Sequence, residues 1–418
     1  MIEVSRMPRL LDYLKARQSG EVVLWAESGP WTVEDIVSAA ESILAEKPDF
    51  SGRVVALTER DPLSDLLRLI AFDGRYAELR LLPRDMDNPS LATDPETPEH
   101  PCAQEQAGVH ESQWLLFSSG TTGQPKAIRH RSKDLAKSVR HRPASRWLLT
   151  YSAYRMAGVL VTLQAILGGG VLCVPRTYEF DDVVRIAVDS GVDAISATPA
   201  WWRRLIMSGE DDRLTLREIT LGGEIADQAI LDELARRFPD AQLRHIYAST
   251  ELGAGFVVRD GRAGFPAEWL GSDLAGVSLE MVDGELFVGQ QPISGEGIRW
   301  HATGDLIAVD SSEARCRFLG RKDGVINVGG HKVHPEKIEQ VLLSAPGIED
   351  CVVYGKRSPV LGEVIVAEVV STVGRGDLSR YLEDHCRLHL DRRECPAVYR
   401  FVERLQMTST GKRRRDRV

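Results

Sequence analysis

Residues 115–130 read LLFSSGTTGQPKAIRH: an apolar run, then Ser118-Ser119-Gly120-Thr121-Thr122-Gly123, then a lone lysine, Lys126, after Gln124-Pro125. Four hydroxyls, two glycines and one lysine fall within nine residues, 118–126. A strand that runs into such a turn leaves backbone N–H groups unpaired, and the glycines let the loop curl until those groups converge. The hydroxyls of Ser119, Thr121 and Thr122 add donors and Lys126 adds charge, so the concavity suits phosphate oxygens. It is not a Walker A loop, because no Ser or Thr follows the lysine and the glycine spacing differs. Taken alone, the stretch reads equally well as a Gly/Ser/Thr surface turn.

Working outward, apolar runs alternate with helix-like segments. VVALTE (54–59) precedes PLSDLLRLIAFDG, GGVLCVP (169–175) precedes FDDVVRIAVDSG, VDAISATP (192–199) precedes AWWRRLIMSG, and LREITLGG (216–223) precedes QAILDELARRF. Strand then helix, repeated, predicts an α/β fold with a largely parallel sheet. After about residue 256 short strands take over (VSLEMVDGELFVG, LIAVD, CRFLG) and predict a meander or small barrel. From VHPEKIEQVLLSAPG a smaller α+β pattern follows, with CVVYGK, EVIVAEVVS and the helix DLSRYLEDHCRLHL. The Pro- and acid-rich segment 87–106 reads as a surface linker.

The chain's 418 residues exceed one ordinary core, so two or more domains are expected. A formal net charge of −9 argues against a general nucleic-acid binder. The first twenty residues lack a signal-type apolar run, no stretch approaches the length of a membrane span, and none of the six cysteines forms a Cys-x-x-Cys pair. A reduced, cytoplasmic protein without nucleic-acid or membrane partners is the expectation. Charge divides along the chain: residues 324–418 hold 16 Lys/Arg against 13 Asp/Glu, a balance of +3, whereas the remainder holds 36 against 48, a balance of −12. The sharper reading of that split is a basic C-terminal face turned toward an anionic partner.

Four further segments follow the opening stretch in order: YASTE (247–251), TGDL (303–306), LGRKDGVINVGGHKV (319–333) and TSTGKRRR (408–415). With these five motifs the chain resembles the adenylate-forming (AMP-binding) superfamily in its acyl- and aryl-CoA synthetase branch. The o-succinylbenzoate-CoA ligase type is similar in motif layout and short length. The resemblance spans nearly the whole chain.

It implies an adenylation domain over 1–320, a hinge at 321–323 and a mobile domain over 324–418. It implies ATP-dependent activation of a small carboxylic acid as an acyl-adenylate, with Mg²⁺, followed by transfer to the thiol of CoA or of a carrier-protein phosphopantetheine. Transfer to an amine or hydroxyl, or a non-catalytic acyl- or nucleotide-binding relative, are the alternatives. An acyl carrier protein and a homodimer stay open as partners. By similarity, Ser119, Gly120, Thr121, Thr122, Gly123 and Lys126 hold the β- and γ-phosphates, and Thr250 contacts the α-phosphate. Glu251 helps hold Mg²⁺, Tyr247 stacks on adenine, Asp305 and Arg321 reach the ribose hydroxyls, and Gly223 and Glu224 border the nucleotide. Lys412 enters the site for adenylation, where its charge bridges substrate carboxylate and phosphate oxygens. Asp323 is the hinge, and Gly329-Gly330 line the thiol channel after rotation.

The acyl pocket is assigned to Arg155, Gly158, Trp201, Gly222 and Ala248. Here the sequence departs from the family. Arg155 stands where related CoA ligases usually carry His, and it either faces a second carboxylate or a polar group of the substrate, or turns outward or pairs with an internal acid. Ala248 replaces the usual Gly, and its methyl would shorten the pocket. No acid in 151–158 is placed to grip an ammonium, which disfavours amino-acid substrates. Arg413 follows the lysine where an apolar residue is common. The pairs His331/His334 and His385/His389 have ligand-like spacing without a third ligand, and surface histidine is the better reading.

Overall fold

The computed structural model describes residues 9–46, 54–86, 113–118, 126–291, 297–358, 362–372, 377–408 and 411–415. The expected linker 87–106 and the loop residues Ser119 to Gly123 lie outside the described residues. The chain forms two compact units. The first gathers the chain up to Ser196 with Asp212–Glu218 and Ala248–Ala254. The second gathers Ala197–Asp211, Ile219–Tyr247 and everything from Gly255.

The first unit is α/β as expected. Strand Val54–Thr58 pairs in parallel with Glu78–Leu82, and helix Pro62–Phe72 makes the crossover. Glu78–Leu82 pairs in parallel with Gln113–Ser118, which then pairs antiparallel with Lys126–Arg131. Another set runs in the order Ala194–Ala197, Arg146–Leu148, Val171–Cys173, Val22–Ala26, Gly29–Thr32, parallel except for the last hairpin. Two of the unit's helices begin at polar caps that stop the apolar periodicity. Thr32 and Asp35 form a capping box, and Asp61 caps a helix whose first residue is Pro62. The core is continuous, with Leu24, Ile36, Leu66, Ile70, Trp114, Tyr154 and Leu163 among its buried members.

In the second unit, strand Glu218–Gly222 leads to helix Gln228–Arg237, started by Asp227, and Thr198 caps helix Pro199–Ser208. Five antiparallel strands follow, in the order Phe265–Pro266, Arg315–Arg321, Arg299–Asp310, Glu285–Gln290, Val277–Val282. The turn at Asp283-Gly284 has both φ angles positive, 50° and 78°, the torsions a two-residue hairpin needs. TGDL sits inside the twelve-residue strand Arg299–Asp310 rather than at its mouth. Beyond it, strands Ile348–Ser358 and Gly362–Ser371 pair antiparallel over a core with helices Pro335–Leu343 and Leu378–His389. Ile338, Leu342, Val353, Val369, Leu382 and Cys386 fill that core. Among the described residues, no helix is long and apolar enough to cross a membrane.

Candidate active site

In the second unit, strands Arg299–Asp310 and Arg315–Arg321 pair so that Asp305 lies opposite Arg321. Arg321 Nη1 stands 3.4 Å from Asp305 Oδ1 and donates to the Thr303 carbonyl at 2.9 Å, while its Nε meets Asp323 Oδ1 at 3.3 Å. The Tyr247 hydroxyl donates to the other oxygen of Asp305. Its ring lies parallel to Phe256, with centroids 5.1 Å apart, and to Phe318 at 5.8 Å. Burial pushes the Asp305 carboxyl up, against the Tyr247 hydrogen bond and the Arg321 and Lys412 charges that hold it down. A half-sequestered carboxylate with a loosely held oxygen and a guanidinium beside it fits a vicinal diol, as a ribose offers. Phe256 and Phe318 were not singled out in the sequence, because aromatic residues at alternate strand positions read as core.

Lys412 comes to the same unit from the far end of the chain. The segment 406–414 folds back on itself. Thr408 N–H donates to the Lys412 carbonyl at 2.7 Å, Arg414 N–H to the Gln406 carbonyl at 2.9 Å, and Gly411 turns at φ 70°. This places the Lys412 side chain over Gly223, at φ 79°, where an added Cβ would lie 3.5 Å from Lys412 Cε and from Thr198 Cγ2. Glu224 accepts from the Arg413 N–H at 3.0 Å and from the Ala200 N–H at 3.1 Å. Thr198 caps its helix by accepting from Trp201 N–H and donates its own hydroxyl to the Gly411 carbonyl. Thr198 was missed. Its one signal was Thr-Pro ahead of a helix, which marks a cap and nothing more.

Gly222, Gly223, Glu224, Tyr247, Asp305, Arg321, Asp323 and Lys412 therefore share one unit. Gly329 and Gly330 share it too, forming the two-residue turn between strands Ile326–Val328 and His331–Val333. Trp201 is buried and packs edge-on against Trp202, whose indole N–H reaches the Thr220 carbonyl at 3.2 Å. Trp202 is plain core. The expected basic C-terminal face is partly spent inside: Arg413 is 9% exposed along its side chain and Arg415 pairs with Glu336 and Glu339.

The first unit holds the others. Lys126 is exposed at the start of its strand, Ala248 and Glu251 are half-buried, and the Thr250 carbonyl meets His130 Nε2 at 2.6 Å. Arg155 is buried and forms an ion pair with Asp85, an acid of the protein 70 residues away. Of the expected alternatives, the structure displays pairing with an internal acid. Gly158 has a packing reason: a Cβ there would meet the Ser152 carbonyl oxygen at 2.0 Å. Among the described residues, no three His, Cys, Asp or Glu side chains cluster as a metal cage. The lone Glu251 carboxylate suits an ion such as Mg²⁺, which keeps waters and phosphate oxygens as its other ligands.

The family model described as "AMP-binding enzyme" matches residues 9–296, and its C-terminal counterpart, "AMP-binding enzyme C-terminal domain", matches 337–412. The chain belongs to the AMP-binding enzyme family. It is thus a member of the adenylate-forming acyl- and aryl-CoA or carrier-protein ligase family. A 2-succinylbenzoate–CoA ligase of Bacillus pumilus is 26% identical over 343 residues, 74% of this chain and 69% of that one. A fatty acid–[acyl-carrier-protein] ligase, ScoC, of Streptomyces coeruleorubidus is 26% identical over 367 residues, 77% of this chain and 68% of that one. The crystal structure of the anthranilate CoA ligase AuaEII with anthranoyl-AMP shares the fold of this AMP-binding enzyme. Its TM-score is 0.74 at 17% identity, covering 99% of this chain and 97% of that one.

Proposed function

We propose that this enzyme activates a small carboxylic acid with ATP and passes the acyl group to a thiol. The observation that carries the reading is Lys412 laid over Gly223 in the unit that also holds the Tyr247–Asp305–Arg321 cluster. A carboxylate is a poor electrophile. Its oxygen attacks the α-phosphorus of ATP, the bond to the bridging oxygen breaks, and pyrophosphate leaves with the electron pair. Lys412 lowers the cost of bringing two anions together, an effect largest where water is excluded. Asp305 and Arg321 fix the ribose, Tyr247 borders the base, and Thr250 and Glu251 serve the α-phosphate and Mg²⁺. The thiolate sulfur of CoA or of a carrier-protein pantetheine then attacks the acyl carbon, and AMP departs.

The second step does not need Lys412. Rotation of residues 324–418 about Asp323, away from 1–320, would exchange it for the Gly329-Gly330 turn, whose bare backbone suits a pantetheine arm. The Arg155–Asp85 pair supports a compact or aryl acid without a second carboxylate, since the buried guanidinium already has its counter-charge.

Pyrophosphate release is to be measured with ATP, Mg²⁺ and a panel of aryl, short-chain and dicarboxylic acids. CoA, a phosphopantetheinylated carrier protein and an amine are then supplied as separate acceptors. Acid-dependent release followed by thioester formation is expected. Absence of acid-dependent release, or an acyl-adenylate drawn off only by the amine, overturns the reading.

A further inference from the structure

Arg413 occupies the position after the site lysine, where an apolar residue is common in the family, and its side chain is buried, 9% exposed. Its Nη2 lies 2.7 Å from Asp350 Oδ1 and its Nη1 3.6 Å from Glu339 Oε2. Asp350 is also approached at 3.8 Å by Nε of Arg203, on helix Pro199–Ser208, and the other end of Arg203 is held by Asp227, the cap of the next helix. Arg415 closes the far side on Glu336 and Glu339. A buried guanidinium without partners is costly, so these carboxylates fix where Arg413 can stand. The contacts are charge contacts with incomplete alignment: Arg413 Nε and Nη2 and Arg203 Nε have no aligned hydrogen-bond acceptor. The arrangement is therefore held by its set of charges, while the Arg413 N–H is held separately by Glu224.

We propose that Arg413 is a positioning residue whose buried ion pairs with Asp350 and Glu339, shared through Asp350 with Arg203, set the register of residues 411–415 and so place Lys412 over Gly223. The proposal rests on the adenylating role of Lys412 given above. Two elements distant in sequence meet this side chain, strand Ile348–Ser358 at Asp350 and helix Pro335–Leu343 at Glu339. Through Asp350 the helix that starts at Thr198 joins them by way of Arg203, next to the terminal hairpin that carries the lysine. An apolar residue at 413 could fill the space but would leave Asp350 and Glu339 without their cation. Lysine could restore the charge but not the two-sided reach of a guanidinium.

The test uses the full chain with Arg413→Met and Arg413→Lys, and Asp350→Asn as a second route should Arg413→Met fold poorly. Acyl-adenylate formation is followed in a single turnover, and thiolysis is followed from supplied acyl-adenylate. Arg413→Met should slow adenylation ten- to a hundredfold with KM for ATP and acid within threefold of wild type, and thiolysis within threefold. Arg413→Lys should recover part of the loss, and Asp350→Asn should follow Arg413→Met. A second readout needs no activity: trypsin cleavage after Lys412 and Arg414, followed by intact mass at a temperature well below the melting midpoint. Both sites should be cut at least tenfold faster in Arg413→Met. Equal loss in the two half-reactions, or unchanged adenylation with unchanged trypsin protection, overturns the proposal. A wild type that releases no pyrophosphate with any acid overturns the reading of function instead, while the trypsin comparison still decides whether Arg413 pins the segment.

Discussion

The carboxylate of Glu224 bridges two backbone N–H groups, that of Ala200 at 3.1 Å and that of Arg413 at 3.0 Å, and so ties the start of a helix to the terminal segment beside Lys412. Replacing it with alanine removes both acceptors. Adenylation in Glu224→Ala should fall ten- to a hundredfold, about 1.4–2.7 kcal/mol, with less loss in Glu224→Gln, which keeps one carbonyl acceptor. Single-turnover acyl-adenylate formation checks this. A raised KM for ATP at unchanged kcat would mean that the carboxylate serves the nucleotide and not the chain.

Lys412 is expected to act in one half-reaction alone. Lys412→Ala should reduce acyl-adenylate formation by two decades or more, about 3 kcal/mol. Thioester formation from supplied acyl-adenylate should stay within a few-fold of wild type. The comparison is made with pre-formed adenylate and quenched-flow sampling, and a parallel fall in both steps would remove the lysine from its assigned place.

Arg155 and Asp85 should differ in what their loss costs. The Arg155 side chain is 10% exposed and that of Asp85 is 42% exposed. Asp85→Asn strands a buried charge, whereas Arg155→Met leaves an acid that water can reach. The first should therefore destabilise more, by about 3 kcal/mol against about 1, read as urea midpoints at constant m. Arg155→Met should leave the ranking of acid substrates unchanged. If it alone relaxes selectivity toward dicarboxylic acids, the guanidinium reads the substrate after all.

Asp65 gives the fold a pH dependence. It is fully buried and accepts from the Arg60 N–H at 3.0 and 3.1 Å with Arg68 beside it. Burial pushes its carboxyl up to about 6, against the pull of the Arg60 amide and Arg68. Between the ordinary value near 4 and about 6, the folded chain keeps a proton that the unfolded chain has released. Stability from this group is present below about pH 4 and is lost as pH rises through about 6, by about 3 kcal/mol in total. Urea unfolding from pH 4 to 7 should show that decline, and Asp65→Asn should flatten it. An identical decline in the variant would assign it to another group.

The strand–helix alternation was legible because burial imposes a period and caps interrupt it. LREITLGG became strand Glu218–Gly222 with Gly223 in the left-handed turn that follows, and Thr198-Pro199 opened a helix. The site motifs were legible as ordered strings. Their partners were not. Asp85 is 70 residues from Arg155, and Asp350 is 63 residues from Arg413. No local pattern marks an acid that will meet a buried arginine across such separations. Periodicity also hid Tyr247's neighbours, because Phe256 and Phe318 sit on strands where aromatic side chains are ordinary filling.

The Gly329-Gly330 turn has φ angles of 57° and 86°, yet a Cβ at either position would meet nothing within 4 Å. Torsion, not packing, is what disfavours other residues there. Alanine would fit the space and still cost about 1 kcal/mol at each site, because L-residues avoid these angles. Asparagine tolerates them better. Mutational drift through this turn should therefore pass by Asn and not Ala, which makes the turn a place where evolutionary history is written in backbone geometry and not in packing.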